Sequence, residues 1–83
     1  MWTADPDVLI TDLQDELVLM HARSAQMYRL NDVARTIWQH LPASQETLLQ
    51  ALLTQYEVSP EQAGADLDRL LNELSRLEMV RRT

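Results

Sequence analysis

The first thirty residues alternate between short apolar runs and short polar segments. Apolar positions 8–10 lead into Thr11 and Asp12, a second run covers 17–20, and a third covers 25–30. Runs of this length between polar turns are typical of strands, so this part of the chain predicts a three-stranded antiparallel meander. The continuous run at 17–20 is also compatible with a buried helix, and neither turn has the Asn-Gly or Asp-Gly pair of a tight hairpin.

After Leu30 the apolar spacing changes to three and four residues, which is the period of one face of a helix. Asn31 is a favourable N-cap for a first helix, which Pro42 ends. Ser44 and Ser59 open a second and a third helix, and a proline follows Ser59 at the first helical position. The third helix has the widest apolar stripe, formed by Ala63, Leu67, Leu70, Leu71, Leu74 and Leu77.

Three strands followed by three helices predict a small α+β domain. It is similar to a winged helix in which the strands precede the helices along the chain. Because the chain has only 83 residues, we interpret residues 1–83 as one domain with one core. An apolar fraction of 46% and a charged fraction of 24% are ordinary for a folded domain. Residues 79–80 predict a short extended tail. Both outer strands of a meander keep a free edge, and so small a protein has little to cover them.

The chain is acidic, which bears on the class of partner. Its net charge of −6 comes from 13 acidic and 7 basic residues, and every basic residue is an arginine. Nucleic-acid binders usually carry a basic stripe, whereas the longest basic cluster here is the pair at 81–82. We therefore expect no nucleic-acid partner. An acidic surface instead favours a partner segment that contains Lys or Arg.

The sequence also predicts a compartment. It contains no cysteine, which suits the reducing cytoplasm. Residues 1–10 include Asp5, Pro6 and Asp7, where a secretory signal would carry positive charge followed by an apolar run. No stretch approaches the roughly 18 consecutive apolar residues of a membrane span. We expect a cytoplasmic protein without a membrane partner.

Residues that could carry chemistry are few and scattered. His21 and His40 form no metal-binding pair, so we interpret both as solvated surface residues and expect no metal site. The serines lack the context of a hydrolase nucleophile, and a chain with one glycine has no phosphate-binding loop. Asp66 and Glu73 are spaced for pairing with neighbouring arginines on the third helix. We expect no enzymatic activity and no cofactor.

The third predicted strand and the third helix are the candidate binding surface. Most of the helix stripe is expected to be core, as such stripes usually are. However, the stripe is wider than one packed side requires, so we expect one flank, near Leu67 and Leu71, to remain free for a segment lying beside the strand. Tyr28 points to the opposite face from Met27 and Arg29, and the sequence leaves open which face meets such a segment.

The ordered residues of this surface resemble a known family. The pattern is Tyr28-Arg29-Leu30, then Asn31-Asp32-Val33-Ala34 with Ile37-Trp38, then Asp66-Leu67, Leu70-Leu71 and Leu74. Over residues 7–80 it is similar to the PqqD-like peptide recognition elements, and within them to the stand-alone leader-binding proteins of lasso peptide biosynthesis. The resemblance implies a winged-helix-like domain that binds the leader of a ribosomally made precursor and presents it to a leader peptidase and a cyclase.

The resemblance also implies how the leader binds: as an antiparallel strand, with apolar side chains in a groove beside the third helix. The implied leader-binding residues are Ala25, Gln26, Met27, Tyr28, Arg29, Leu30, Leu67, Leu70, Leu71 and Leu74. Two turns depart from the family pattern, since Glu78 stands in place of a common glycine in one and the pair Ser24–Ala25 in the other. The alternatives are a peptide chaperone of another such pathway, a winged-helix DNA-binding protein and a self-associating structural module.

Overall fold

The computed structural model describes all residues from 1 to 83. No helix has the length and apolar character needed to cross a membrane. The chain forms five strands and three helices: β1 Trp2–Ala4, β2 Val8–Asp12, β3 Leu17–His21, β4 Met27–Leu30, α1 Asp32–Gln39, α2 Gln45–Gln55, α3 Pro60–Arg76 and β5 Val80–Arg82. The predicted α+β class is confirmed, as is a three-stranded antiparallel sheet followed by three helices.

The main sheet is the predicted meander, in the order β2-β3-β4 with antiparallel neighbours. A second sheet, which the sequence did not indicate, pairs β1 with β5. In it Trp2 lies opposite Arg82, whose guanidinium carbon is 4.8 Å from the centre of the indole ring. Strands of three residues are too short to show a period, so this pairing of the two chain ends left no pattern to detect.

The three helices begin where the capping residues predict. Asn31 Oδ1 accepts a hydrogen bond from the Ala34 amide at 2.9 Å. Ser44 Oγ and Ser59 Oγ each accept one from the amide three residues later, at 3.1 Å in both cases. Each cap satisfies one of the amides that the first turn of a helix leaves without a partner, which fixes the start of the helix.

A single cluster of 17 buried apolar residues forms the core. Helix α3 packs against α2 and β5, and its buried leucines join the inner-face residues of the main sheet in this cluster, so several of its sides are covered. Leu67, Leu71 and Leu74 are each 1% exposed. The expectation of a free flank at Leu67 and Leu71 is therefore wrong. The stripe is wide because the helix lies at the centre of the molecule, with partners on several sides.

His21 is buried, whereas the sequence predicted a solvated histidine. Its Nδ1 accepts a hydrogen bond from the Arg23 amide at 3.3 Å, and its Nε2 lies 3.6 Å from a carboxylate oxygen of Asp5. The ring thus joins the segment before β2 to the end of β3. His21 follows Leu17 and Leu19 on the same face of its strand, and that alternation determines its burial.

Two left-handed positions account for the departures from the family turns. Ala25 has φ 60° and Glu78 has φ 59°, in the region that glycine occupies at low cost. Ala25 precedes β4, and its amide donates to the His21 carbonyl at 2.8 Å. Glu78 links α3 to β5, and its amide donates to the Ser75 carbonyl at 3.0 Å. Both turns therefore place a non-glycine residue in the left-handed region, with some backbone strain.

Candidate peptide-binding groove between β4 and α3

Strand β4 is an edge strand with β3 on one side and no strand on the other. The His21 amide donates to the Gln26 carbonyl at 2.9 Å, and Tyr28 and Leu30 follow in register opposite Leu19 and Leu17. Hydrogen-bonded pairs alternate along an antiparallel ladder, so the backbone groups of Gln26, Tyr28 and Leu30 point toward β3. Those of Met27 and Arg29 consequently point away from the sheet and can pair with an added strand.

The side chains of β4 are divided between the two faces of the sheet. Leu30 is fully buried and Tyr28 is half-buried on the inner face, which the helices cover. Met27, which is 63% exposed, and Arg29 lie on the outer face. Tyr28 is therefore the partly exposed β4 side chain that faces the helices, whereas Met27 and Arg29 point away from them.

A groove of about 460 Å³ runs between β4 and α3. Its volume falls within the range of small ligand sites, roughly 300–1,000 Å³. Half of its lining residues are apolar and come from β4, α1 and α3. The full lining is Tyr28, Arg29, Asn31, Val33, Ala34, Ile37, Asp66, Arg69, Leu70 and Glu73. An apolar floor beside a free strand edge is the arrangement that binds extended peptides.

The charged residues along α3 at the groove are held in ion pairs. Arg69 lies 2.5 Å from Asp66, which also accepts a hydrogen bond from the Gln62 side chain at 3.0 Å. Arg76 lies 2.5 Å from Glu73, and that hydrogen bond raises the pKa of the arginine above its ordinary value. Both pairs confirm the predicted spacing. They also reduce the net charge at the rim, so an apolar segment can approach without leaving an isolated charge beside it.

The predicted site residues are partly brought together. Tyr28, Arg29 and Leu70 line the groove, and Met27 offers its backbone at the same edge. Ala25 and Gln26 lie between the turn at 22–24 and β4, which is shorter than the predicted strand over 25–30. The remaining four, Leu30, Leu67, Leu71 and Leu74, are buried in the core and form the layer behind the groove wall.

Helix α1 supplies groove residues that the sequence did not assign to the site. Val33, Ala34 and Ile37 line the groove, and Asn31 lies at its end. Only Asn31 separates β4 from α1, so the first turns of that helix must lie close to the strand. This short connection was visible in the sequence and could have indicated their position. The sequence placed Asp66, Arg69 and Glu73 only on a solvated face of α3, whereas in the structure they line the rim of the groove.

Comparison with known proteins supports a family assignment. The profile of the family described as coenzyme PQQ synthesis protein D (PqqD) matches residues 16–80. A solved structure of TbiB1 in complex with the TbiA(beta) leader peptide has a TM-score of 0.90 and 24% identity, covering 98% of this chain and 96% of that one. A lasso peptide synthetase B1 complexed with the leader peptide has a TM-score of 0.85 and 28% identity, covering 98% of both chains. No curated protein matches the chain.

Proposed function

This chain belongs to the PqqD family, and we propose that it binds the leader segment of a ribosomally made precursor in lasso peptide biosynthesis, as a strand added to β4. The observation that carries the proposal is the unpaired backbone of Met27 and Arg29 beside a groove with an apolar floor. Both similar solved proteins hold a leader peptide, which supports the same class of ligand here.

The balance of energies indicates which contacts matter for affinity. The free N–H and C=O groups of Met27 and Arg29 offer up to four hydrogen bonds, worth about 1 kcal/mol each net. Ordering a flexible peptide costs about 2–5 kcal/mol, which offsets most of that gain. Burying roughly 300 Å² of apolar leader surface would contribute about 7 kcal/mol. The groove side chains therefore determine affinity and choice of leader, while the strand edge aligns the peptide.

Strand addition also gives the leader a direction. An antiparallel strand on β4 runs from the Leu30 end toward the Met27 end, opposite to β4 itself. The N-terminal part of the bound leader then lies near Asn31 and the start of α1. Its C-terminal part, which precedes the segment to be processed, leaves beside Met27 and the turn before β4.

We infer that the protein recognises the precursor and leaves the chemistry to partner enzymes, a leader peptidase and a cyclase. Four ionisable residues line the groove: Arg29, whose side chain lies on the outer face of the sheet, and Asp66, Arg69 and Glu73 on α3. Each lies within 4 Å of an oppositely charged group. Such groups are suited to orienting a peptide. Because the precursor is made on ribosomes, we expect the two to meet in the cytoplasm.

The test is an NMR titration with a synthetic leader peptide from the precursor of the same gene cluster. We expect the largest amide shifts at Met27 and Arg29, with further shifts at Leu70 and Val33. Amide exchange at Met27 and Arg29 should slow on binding, because their N–H groups gain partners. Binding with shifts confined to β1 and β5, or no binding at all, would contradict the proposal.

A further inference from the structure

Helix α1 borders the groove on one side and depends on its other contacts for its position. It packs mainly against α2 and β4, while Val33, Ala34 and Ile37 line the groove. The helix has only eight residues, whereas an isolated helix shorter than about 12–15 residues is marginal in water. Contacts with neighbouring elements must therefore hold α1 in place until a leader fills the groove.

Tyr56 directly follows α2, and its hydroxyl group contacts two residues of α1. It donates a hydrogen bond to the Asp32 carbonyl at 3.2 Å and lies 3.0 Å from the Thr36 hydroxyl. Because Tyr56 has a single hydroxyl proton, Thr36 is the donor of the second bond. Asp32 and Thr36 are about one turn apart, so the two bonds fix the start of α1 against the end of α2.

Arg35 connects the same turn of α1 to the β2–β3 hairpin. Its guanidinium group donates to the Gln14 carbonyl and lies 3.1 Å from a carboxylate oxygen of Asp12. The Arg35 side chain is only 22% exposed, so salt screens this contact less than it screens a fully exposed ion pair. Neither Arg35 nor Tyr56 lines the groove, and each connects α1 to a different element.

The groove has an apolar floor, and apolar atoms that border open space lack the neighbours that a packed interior provides. Movement of α1 toward α3 would cover this floor and close the groove. Only Asn31 separates β4 from α1, so the same movement would displace the end of β4. We propose that Arg35 and Tyr56 are positioning residues that oppose this movement and keep the groove open for the leader, a proposal that rests on the proposed function.

This role has a kinetic signature. If α1 closes the groove part of the time, only the open fraction of the protein accepts the leader, and the apparent affinity falls by that fraction. The association rate constant falls by the same factor. The dissociation rate constant stays the same, because the bound leader itself keeps α1 in place. A side chain that contacts the leader, such as Leu70, differs because its truncation mainly raises the dissociation rate constant.

The test is stopped-flow kinetics with a fluorescently labelled leader peptide. We expect Tyr56→Phe, which removes one hydroxyl group, to slow association by about three- to tenfold and to leave dissociation within about twofold of the wild type. Thr36→Val should slow association in the same direction. The double variant should lose less than the two single losses combined, because both substitutions remove the same contact.

The chain offers a matched control and an independent second variant. Thr54 Oγ1 donates to the Gln50 carbonyl at 2.8 Å within α2, so Thr54→Val removes a hydroxyl group from the same helix without touching α1. It should associate with the leader at the wild-type rate. Arg35→Met keeps the apolar stem and removes the contact with the hairpin, and it should slow association as Tyr56→Phe does.

The outcomes separate this inference from the proposed function. If the wild-type protein binds no leader, the proposed function fails and the inference fails with it. If the wild type binds, but Tyr56→Phe and Arg35→Met, folded by circular dichroism, associate at the wild-type rate, the inference fails alone. Lower Tm values with unchanged kinetics would assign both contacts to fold stability only. Faster dissociation with unchanged association would make the side chains leader contacts, and this outcome would also overturn the inference.

Discussion

Leu70 and Leu71 are adjacent in α3 but have different surroundings, which gives a sharp test of the groove. Leu70 is half-buried and lines the groove, whereas Leu71 is 1% exposed in the core. We expect Leu70→Ala to weaken leader binding with a small effect on stability. Leu71→Ala should instead destabilise the fold. The two substitutions remove the same atoms, so a difference between them reports the position of the side chain.

The magnitudes follow from burial. Leu→Ala removes about three carbon groups worth roughly 0.8 kcal/mol each when fully buried. The leader can cover only the part of Leu70 that the free protein exposes, at most about a third of the side chain, so the affinity should fall by up to about 0.8 kcal/mol, or roughly fourfold. A buried Leu71→Ala costs about 2–5 kcal/mol. For a domain of this size that lowers Tm by roughly 8 °C or more.

The assay combines fluorescence polarisation with a labelled leader peptide and thermal unfolding followed by circular dichroism. The chain's 83 residues imply a stability of about 4–12 kcal/mol, so Leu71→Ala can still be largely folded at 10 °C. Folded Leu71→Ala should bind the leader with an affinity close to that of the wild type. Equal leader affinities for Leu70→Ala and the wild type, with both folded, would refute the assignment of Leu70 to the binding surface.

Three further substitutions test local features of the fold and the edge. Gly64→Ala should stabilise the protein by about 0.5–1 kcal/mol in chemical denaturation, because the position is helical and a methyl group would meet no atom within 4 Å. Glu78→Gly should raise Tm, since glycine relieves the left-handed strain at φ 59°; a lower Tm would contradict this account. Met27→Pro should weaken leader binding while costing less stability than Tyr28→Pro, because only the Tyr28 amide points to β3; equal losses of stability would contradict the assigned ladder.

The element order could be predicted because its signals are local. The caps at Asn31, Ser44 and Ser59 and the two apolar periods each depend on a few neighbouring residues, and all were confirmed. The β1–β5 sheet could not be predicted, because it joins the two ends of the chain through strands of only three residues. Pairing at that separation depends on the completed core, and no local pattern records it.

The errors at individual side chains have a different origin. His21 was assigned to the surface from its residue type, although its alternation with Leu17 and Leu19 placed it on the buried face. The apolar stripe of α3 was expected to need only one packed side, but the helix contacts both α2 and β5 and contributes to the same core as the sheet. In both cases the number and position of tertiary neighbours determined burial. The apolar pattern of the sequence predicts which face of its element a side chain points to. It does not predict which other elements pack against that face.

The buried position of Leu71 determines where a charge can be introduced to test the groove. With a free flank, Leu71→Asp would weaken leader binding and leave the fold intact. In the core, the same change places a carboxylate among apolar side chains at a cost that exceeds the stability of a small domain. Loss of binding by that variant would then report unfolding. Charge is better introduced at Leu70, where Leu70→Asp leaves the carboxylate in contact with solvent, and a folded variant that still bound the leader would exclude the groove.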